Sequence, residues 1–179
     1  MDMMAFSRDN KKMDKEQMLN ALNRLNEKLK SSDETGELIL FGGAVMCLVF
    51  GSRGYTRDID AVFEPKNSIY SYAKEIGVEE GLPFNWLNDG VKGWLYVKPE
   101  TDSIMHLSNL RVLAAKPEYI LAMKCYAARL DTDDLNDAKF LITHLGLVDR
   151  NQVLDIVERY IPSKLLGIKT VAFAEALFE

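Results

Sequence analysis

The run Leu38-Ile39-Leu40-Phe41-Gly42-Gly43-Ala44-Val45-Met46-Cys47-Leu48 admits little besides an apolar strand, a tight glycine turn and a short apolar helix. After the polar loop Gly51 to Arg57, a second strand opens with Asp58-Ile59-Asp60 and continues through Ala61, Val62 and Phe63. Side chains alternate across a strand, so Asp58 and Asp60 share one side while Ile59, Ala61 and Phe63 take the other. Two carboxylates held this close repel each other and each loses solvent. A divalent cation removes the cost, and magnesium accepts one or two carboxylates together with water and substrate phosphates. Asp58 and Asp60 are therefore the candidate ligands for Mg2+ or Mn2+. Gly42 and Gly43 let backbone approach a ligand closely at the start of a helix, where N–H groups can face a phosphate. Arg53 and Arg57 add cationic forks beside the carboxylates. The ordinary alternative is a strand edge whose two acids are solvated or paired with those arginines.

Further along stand Met123-Lys124-Cys125-Tyr126-Ala127-Ala128-Arg129 and then Asp133-Asp134-Leu135-Asn136-Asp137. Strand, Gly-Gly turn, helix, Arg- and Thr-bearing loop and Asp-x-Asp strand together resemble the nucleotidyltransferase fold of the DNA polymerase beta superfamily, in its small AbiEii-like toxin branch. The second block is similar to that family's Lys-x4-Arg followed by an Asp-x-x-Asp pair. The segment Trp86 to Gly93 is also similar to sequences of the branch, so the resemblance spans residues 38 to 141. It departs from the superfamily at two points. Gly43 stands where Ser is usual, as in much of the branch, and the later strand Leu110 to Ala114 carries no third carboxylate, which leaves Asp102 and Asp89 as candidates.

The resemblance implies a metal-dependent transfer of a nucleotide from a nucleoside triphosphate to an acceptor. Asp58 and Asp60 would hold the metal, and Gly42 and Gly43 would admit the triphosphate. Arg53, Arg57 and Lys124 would offset its charge, with Asp134 or Asp137 orienting Lys124 or acting as base. It also implies a toxin of a bacterial toxin–antitoxin or phage-defence pair, with tRNA as acceptor and an antitoxin protein as partner. Two alternatives stand beside it: transfer to a small aminoglycoside-type molecule, and an inactive nucleotide- or partner-binding module. Read without the resemblance, Lys124 is a lysine snorkelling from an amphipathic helix, and Asp134 and Asp137 are acids complementing a helix dipole.

The chain of 179 residues, 47% hydrophobic, can bury the core of one domain. This is expected to span residues 13–179, a sheet core over 13–115 and a helical part over 116–179, after a disordered stretch 1–12. A net charge of −5 and a pI of about 5.2 argue against a general DNA binder. No apolar run reaches membrane-spanning length and the first residues carry no apolar signal segment, which points to a cytoplasmic protein without a membrane partner. Cys47 and Cys125 read as buried hydrophobes of a reducing compartment. His106 and His144 read as polar filler, and Trp86, Trp94 and the tyrosines as core.

The expected fold is α/β (α+β): a small mixed sheet of about four strands with packed helices. Asp14 and Gln17 form a capping box for a helix whose apolar stripe is Met18, Leu22, Leu25 and Leu29. Asn67 or Ser68 is expected to cap a helix ending at Gly77. Strands are predicted at 103–107 and 110–114, a helix from Pro117 to about Leu130, and a helix capped by Asp131 or Thr132. Two more helices are expected at 150–160 and 164–178.

Overall fold

The computed structural model describes residues 11–130 and 132–179. The protein is a mixed α/β fold, as its patterning predicts. Among the described residues it has seven α-helices, a five-stranded mixed sheet and a two-stranded sheet. The chain divides into two compact units, residues 1–93 with 101–114 and residues 94–100 with 115–179.

The first unit begins with β1 (Met13–Asp14) and α1 (Lys15–Ser31). Asp14 accepts from the Gln17 backbone N–H while the Gln17 side chain accepts from Asp14 N–H, which closes the expected capping box. Met18, Leu22, Leu25 and Leu29 are fully buried. Next come β2 (Gly36–Phe41), α2 (Gly42–Leu48), β3 (Tyr55–Thr56), β4 (Ile59–Glu64) and α3 (Lys66–Glu79), then β5 (Leu87–Asn88), β6 (Thr101–His106) and β7 (Leu110–Ala115). The larger sheet runs β5-β4-β2-β7-β6. In it β2 pairs antiparallel with β4, with Phe41 opposite Asp60, while β2–β7 and β4–β5 are parallel.

The sheet exceeds the expected four strands because β5, two residues long, docks Leu87 and Asn88 beside Ile59 and Asp60. The smaller sheet joins β1 to β3, Met13 opposite Thr56, a pairing without local periodicity to announce it. Two expected boundaries of α3 are corrected. The helix starts directly after Pro65 with no side-chain cap, and the Ser68 hydroxyl donates instead to Glu34 at 2.6 Å. It also runs through Gly77, because that glycine makes room for Trp86 rather than ending the helix: a side chain at 77 would meet the indole Cδ1 at 3.3 Å. Trp86 is buried as expected, its Nε1–H donating to the Ala73 carbonyl at 2.8 Å. Outside α1 and α3, the paired charges Arg24–Glu79, Lys28–Glu75 and Lys28–Glu79 join the two helices.

The second unit contains α4 (Pro117–Ala127), α5 (Thr132–His144), α6 (Arg150–Tyr160) and α7 (Ile168–Ala176). α4 is the central element, packing on each of the other three. Tyr119, Leu121, Ala122 and Cys125 of α4 are buried, as are Leu141 of α5, Val153 and Val157 of α6 and Phe173 of α7, and the Tyr119 and Tyr160 rings lie 4.7 Å apart. α4 ends earlier than expected because Ala128 turns left-handed with φ of 48° and its N–H closes on the Lys124 carbonyl. Pro117 occupies the first turn as predicted. Trp94 is half exposed rather than core, edge-on to Tyr126 at 5.8 Å, and Tyr96 meets the same ring at 6.1 Å.

The expected disorder of residues 1–12 falls largely outside the described residues, as do the Asp131 and Thr132 side chains expected to cap α5. Cys47 and Cys125 are buried and reduced, and burial pushes the Cys125 thiol up to about 12. No described helix is long and apolar enough to cross a membrane.

Candidate functional site

The nine residues singled out from the sequence fall into two groups, one in each unit. In the first unit, β2 delivers the chain to Gly42, whose φ of 59° lies in the left-handed region, so glycine is required there on backbone grounds. Asp60, paired across the ladder with Phe41, sets its carboxylate beside this turn: a methyl placed on Gly42 would sit 3.3 Å from Asp60 Oδ2. Asp58 and Asp60 are both half-buried, whereas Ile59, Ala61 and Phe63 are fully buried, as strand alternation requires.

The other glycine has a cation against it. A methyl on Gly43 would overlap the Arg53 guanidinium, with Cζ at 2.7 Å, and would lie 2.9 Å from Thr56 Oγ1. Arg53 is half-buried and Arg57 exposed. Thr56 is itself buried, and its hydroxyl donates to the Asp58 carbonyl at 3.0 Å. Pairing of β1 with β3 therefore ties down the loop that carries both Arg53 and Asp58. Burial raises the Cys47 thiol on α2, and the nearby Arg53 charge acts in the opposite direction.

Asn88 was not singled out from the sequence. Its Nδ2 donates to Asp58 Oδ2 at 3.1 Å, and its Oδ1 accepts from the Gly90 backbone N–H at 3.1 Å, which fixes the direction of the amide. The available signal was the Asn-Asp-Gly turn itself, which places Asn88 at the end of β5 alongside Asp60.

Neither candidate for a third acid joins the pair. The Asp89 carboxylate is engaged by Lys66 at 2.8 Å, by the Tyr70 hydroxyl, and by Lys92 at 3.6 Å. Asp102 lies on β6, and two strands intervene between it and β4, about 14 Å of sheet. Among the described residues no group of three or more His, Cys, Asp and Glu side chains is placed to hold a metal ion. The donor set at Asp58 and Asp60 consists of hard carboxylate oxygens, which fits magnesium or manganese bound by two protein ligands with water and phosphate supplying the rest.

Lys66 and then Tyr70 hold the Asp89 carboxyl down at about 2. Because the folded value lies below the ordinary value of about 3.9, the stability it contributes is fully present above that pH and disappears as pH falls through about 2. Urea unfolding of the wild type and Asp89→Asn should therefore differ by a constant amount at pH 5, and the two should converge toward pH 2. Added salt should narrow the gap, since Lys66 is about half exposed, its side chain 47% accessible.

In the second unit, Lys124 on α4 is buried together with Asp134 and Asp137 on α5, all three less than 10% exposed. Its Nζ lies 2.9 Å from Asp134 Oδ1 and 2.8 Å from Asp137 Oδ2. Arg129 Nε stands 2.7 Å from the other Asp134 oxygen. Burial raises the Asp134 carboxyl, but Lys124 and then Arg129 outweigh it, and the net shift is downward. The three-residue spacing puts both acids on one face of α5, as expected. Lys124 itself is not a snorkelling surface lysine, because its ammonium is enclosed between two carboxylates.

The first unit is thus a mixed sheet with the Asp60 carboxylate and the Arg53 guanidinium at adjacent residues of a strand–helix glycine turn. The second is a helical unit with a buried Lys–Asp–Asp cluster. Comparison with protein-family models, with curated proteins and with solved structures gave no significant match.

Proposed function

We propose that the protein is a metal-dependent nucleotidyltransferase. One observation carries the reading: the Asp60 carboxylate lies against Gly42 while the Arg53 guanidinium lies against the adjacent Gly43. A cation-holding group and an anion-holding group thus lie at adjacent residues of one turn. A magnesium–triphosphate is a ligand with that polarity. Asp58 and Asp60 would hold Mg2+ or Mn2+, which when bound neutralises phosphate charge and aligns the α-phosphate.

The remaining steps belong to the chain's own residues. Gly42 admits the triphosphate to the turn, Gly43 seats the Arg53 guanidinium there, Arg53 and Arg57 neutralise the phosphate oxygens, and Asn88 holds the Asp58 carboxylate in one orientation. In the transfer, an acceptor oxygen bonds to the α-phosphorus, the bond to the bridging oxygen breaks, and pyrophosphate leaves. Such a reaction depends on alignment and charge neutralisation more than on covalent participation by the protein. In the helical unit, Asp134 and Asp137 orient Lys124. The family resemblance supports a tRNA acceptor and a toxin paired with an antitoxin.

The test is incubation of the purified protein with magnesium, each α-labelled nucleoside triphosphate and total tRNA or a set of aminoglycosides. Label in the tRNA fraction, abolished by EDTA, is the expected result. Label on an aminoglycoside would replace the acceptor, for which the net charge of −5 gives a rationale. Nucleotide binding without any transfer would leave a binding module and defeat the catalytic reading.

A further inference from the structure

Gly42 and Gly43 are glycines for different reasons. Gly42 adopts a left-handed backbone, whereas Gly43 is absent from the positive-φ glycines. Backbone strain therefore does not explain the residue at 43, and space does. Its missing side chain is replaced by the Arg53 guanidinium, with Cζ 2.7 Å from where a methyl carbon would stand. Behind it Thr56 cannot retreat freely, since it is buried, bonded to the Asp58 carbonyl, and paired through β3 with β1.

We propose that Gly43 and Arg53 are a matched pair, in which the bare glycine lets the guanidinium lie over the strand–helix turn as the fork that receives the nucleotide's phosphate oxygens. The inference rests on the nucleotide site proposed above and adds to it the chemical part of the ligand that is read here. A planar fork with several N–H donors matches phosphate oxygens two at a time and makes no use of a nucleobase. The turn thus recognises a polyphosphate, and inorganic triphosphate competes for it.

The experiment is a double-mutant cycle. Titration calorimetry measures magnesium–tripolyphosphate and magnesium–GTP binding to the wild type, Gly43→Ala, Arg53→Ala and the double variant. Loss of the fork should weaken both ligands about 10- to 100-fold. Gly43→Ala, by displacing the guanidinium, should weaken them by a similar factor. The double variant should be no weaker than Arg53→Ala within about twofold, because the methyl then has no guanidinium to displace. The overlap with Thr56 is common to both backgrounds and cancels in the cycle.

Thermal melting gives the same comparison without ligand: Gly43→Ala should destabilise the wild type more than it destabilises Arg53→Ala. Arg53→Lys keeps the stem and charge without the fork and should bind at least about tenfold more weakly while remaining folded. Unchanged binding in Arg53→Ala, or losses that multiply in the double variant, would overturn the pairing. Asp58→Asn separates the two levels of the argument. If it abolishes magnesium-dependent binding while Arg53→Ala does not, the pair fails and the nucleotide site stands; if the wild type binds neither ligand, both fall.

Discussion

Lys124→Ala should cost the protein about 3–5 kcal/mol of stability, a large share of what a domain possesses. The cause is burial, since removing the ammonium leaves Asp134 and Asp137 enclosed, with Arg129 approaching Asp134 from one side. Chemical unfolding of the single variant would show the loss as a lower midpoint with an unchanged slope. The triple variant Lys124→Met, Asp134→Leu, Asp137→Leu should recover much of it, because apolar groups of similar volume carry no desolvation penalty. If Lys124→Ala melts like the wild type, the cluster is not the buried charge network described above. The sequence alone suggests a different result for this variant, a stable protein deficient in turnover, because spacing does not show that Lys124 is enclosed. Turnover must therefore be compared at a temperature where the variant is still folded, and any loss beyond the unfolded fraction is the measure of a role in transfer.

The second large effect concerns the carboxylate pair. Asp60→Asn and Asp58→Asn should each remove magnesium-dependent nucleotide binding, about 100-fold or more in affinity, while the melting temperature stays within a degree or two of the wild type or rises. Asparagine keeps the shape of each half-buried aspartate side chain, which accounts for the preserved stability. At position 58 the replacement amide oxygen can still accept from Asn88 Nδ2, so the hydrogen bond between β5 and the residue preceding β4 survives. Binding measured with magnesium and with EDTA separates the metal-dependent part. Variants that keep the full magnesium dependence would remove Asp58 and Asp60 from the site.

Those two outcomes mark how much of this protein could be read from residue order. The capping box at Asp14 and Gln17, the stripe from Met18 to Leu29, and the alternation that sets Asp58 and Asp60 opposite Ile59 and Ala61 all follow from interactions within a few residues. Local geometry therefore determined them, and with them the mixed α/β class and the strand–Gly–Gly–helix turn. Tertiary structure decided the rest. Two-residue strands such as β1, β3 and β5 carry no period of their own, so the pairing of Met13 with Thr56 and of Asn88 with Asp60 exists only once distant segments meet. The helix through Gly77 is set by the indole of Trp86 lying against it, overriding the usual reading of glycine as a stop. Likewise the glycine at 43 answers to a guanidinium ten positions away, and the burial of Lys124 answers to carboxylates on the next helix. Sequence spacing states which side chains share a face of one element; desolvation and the exclusion of one atom by another depend on what arrives from elsewhere.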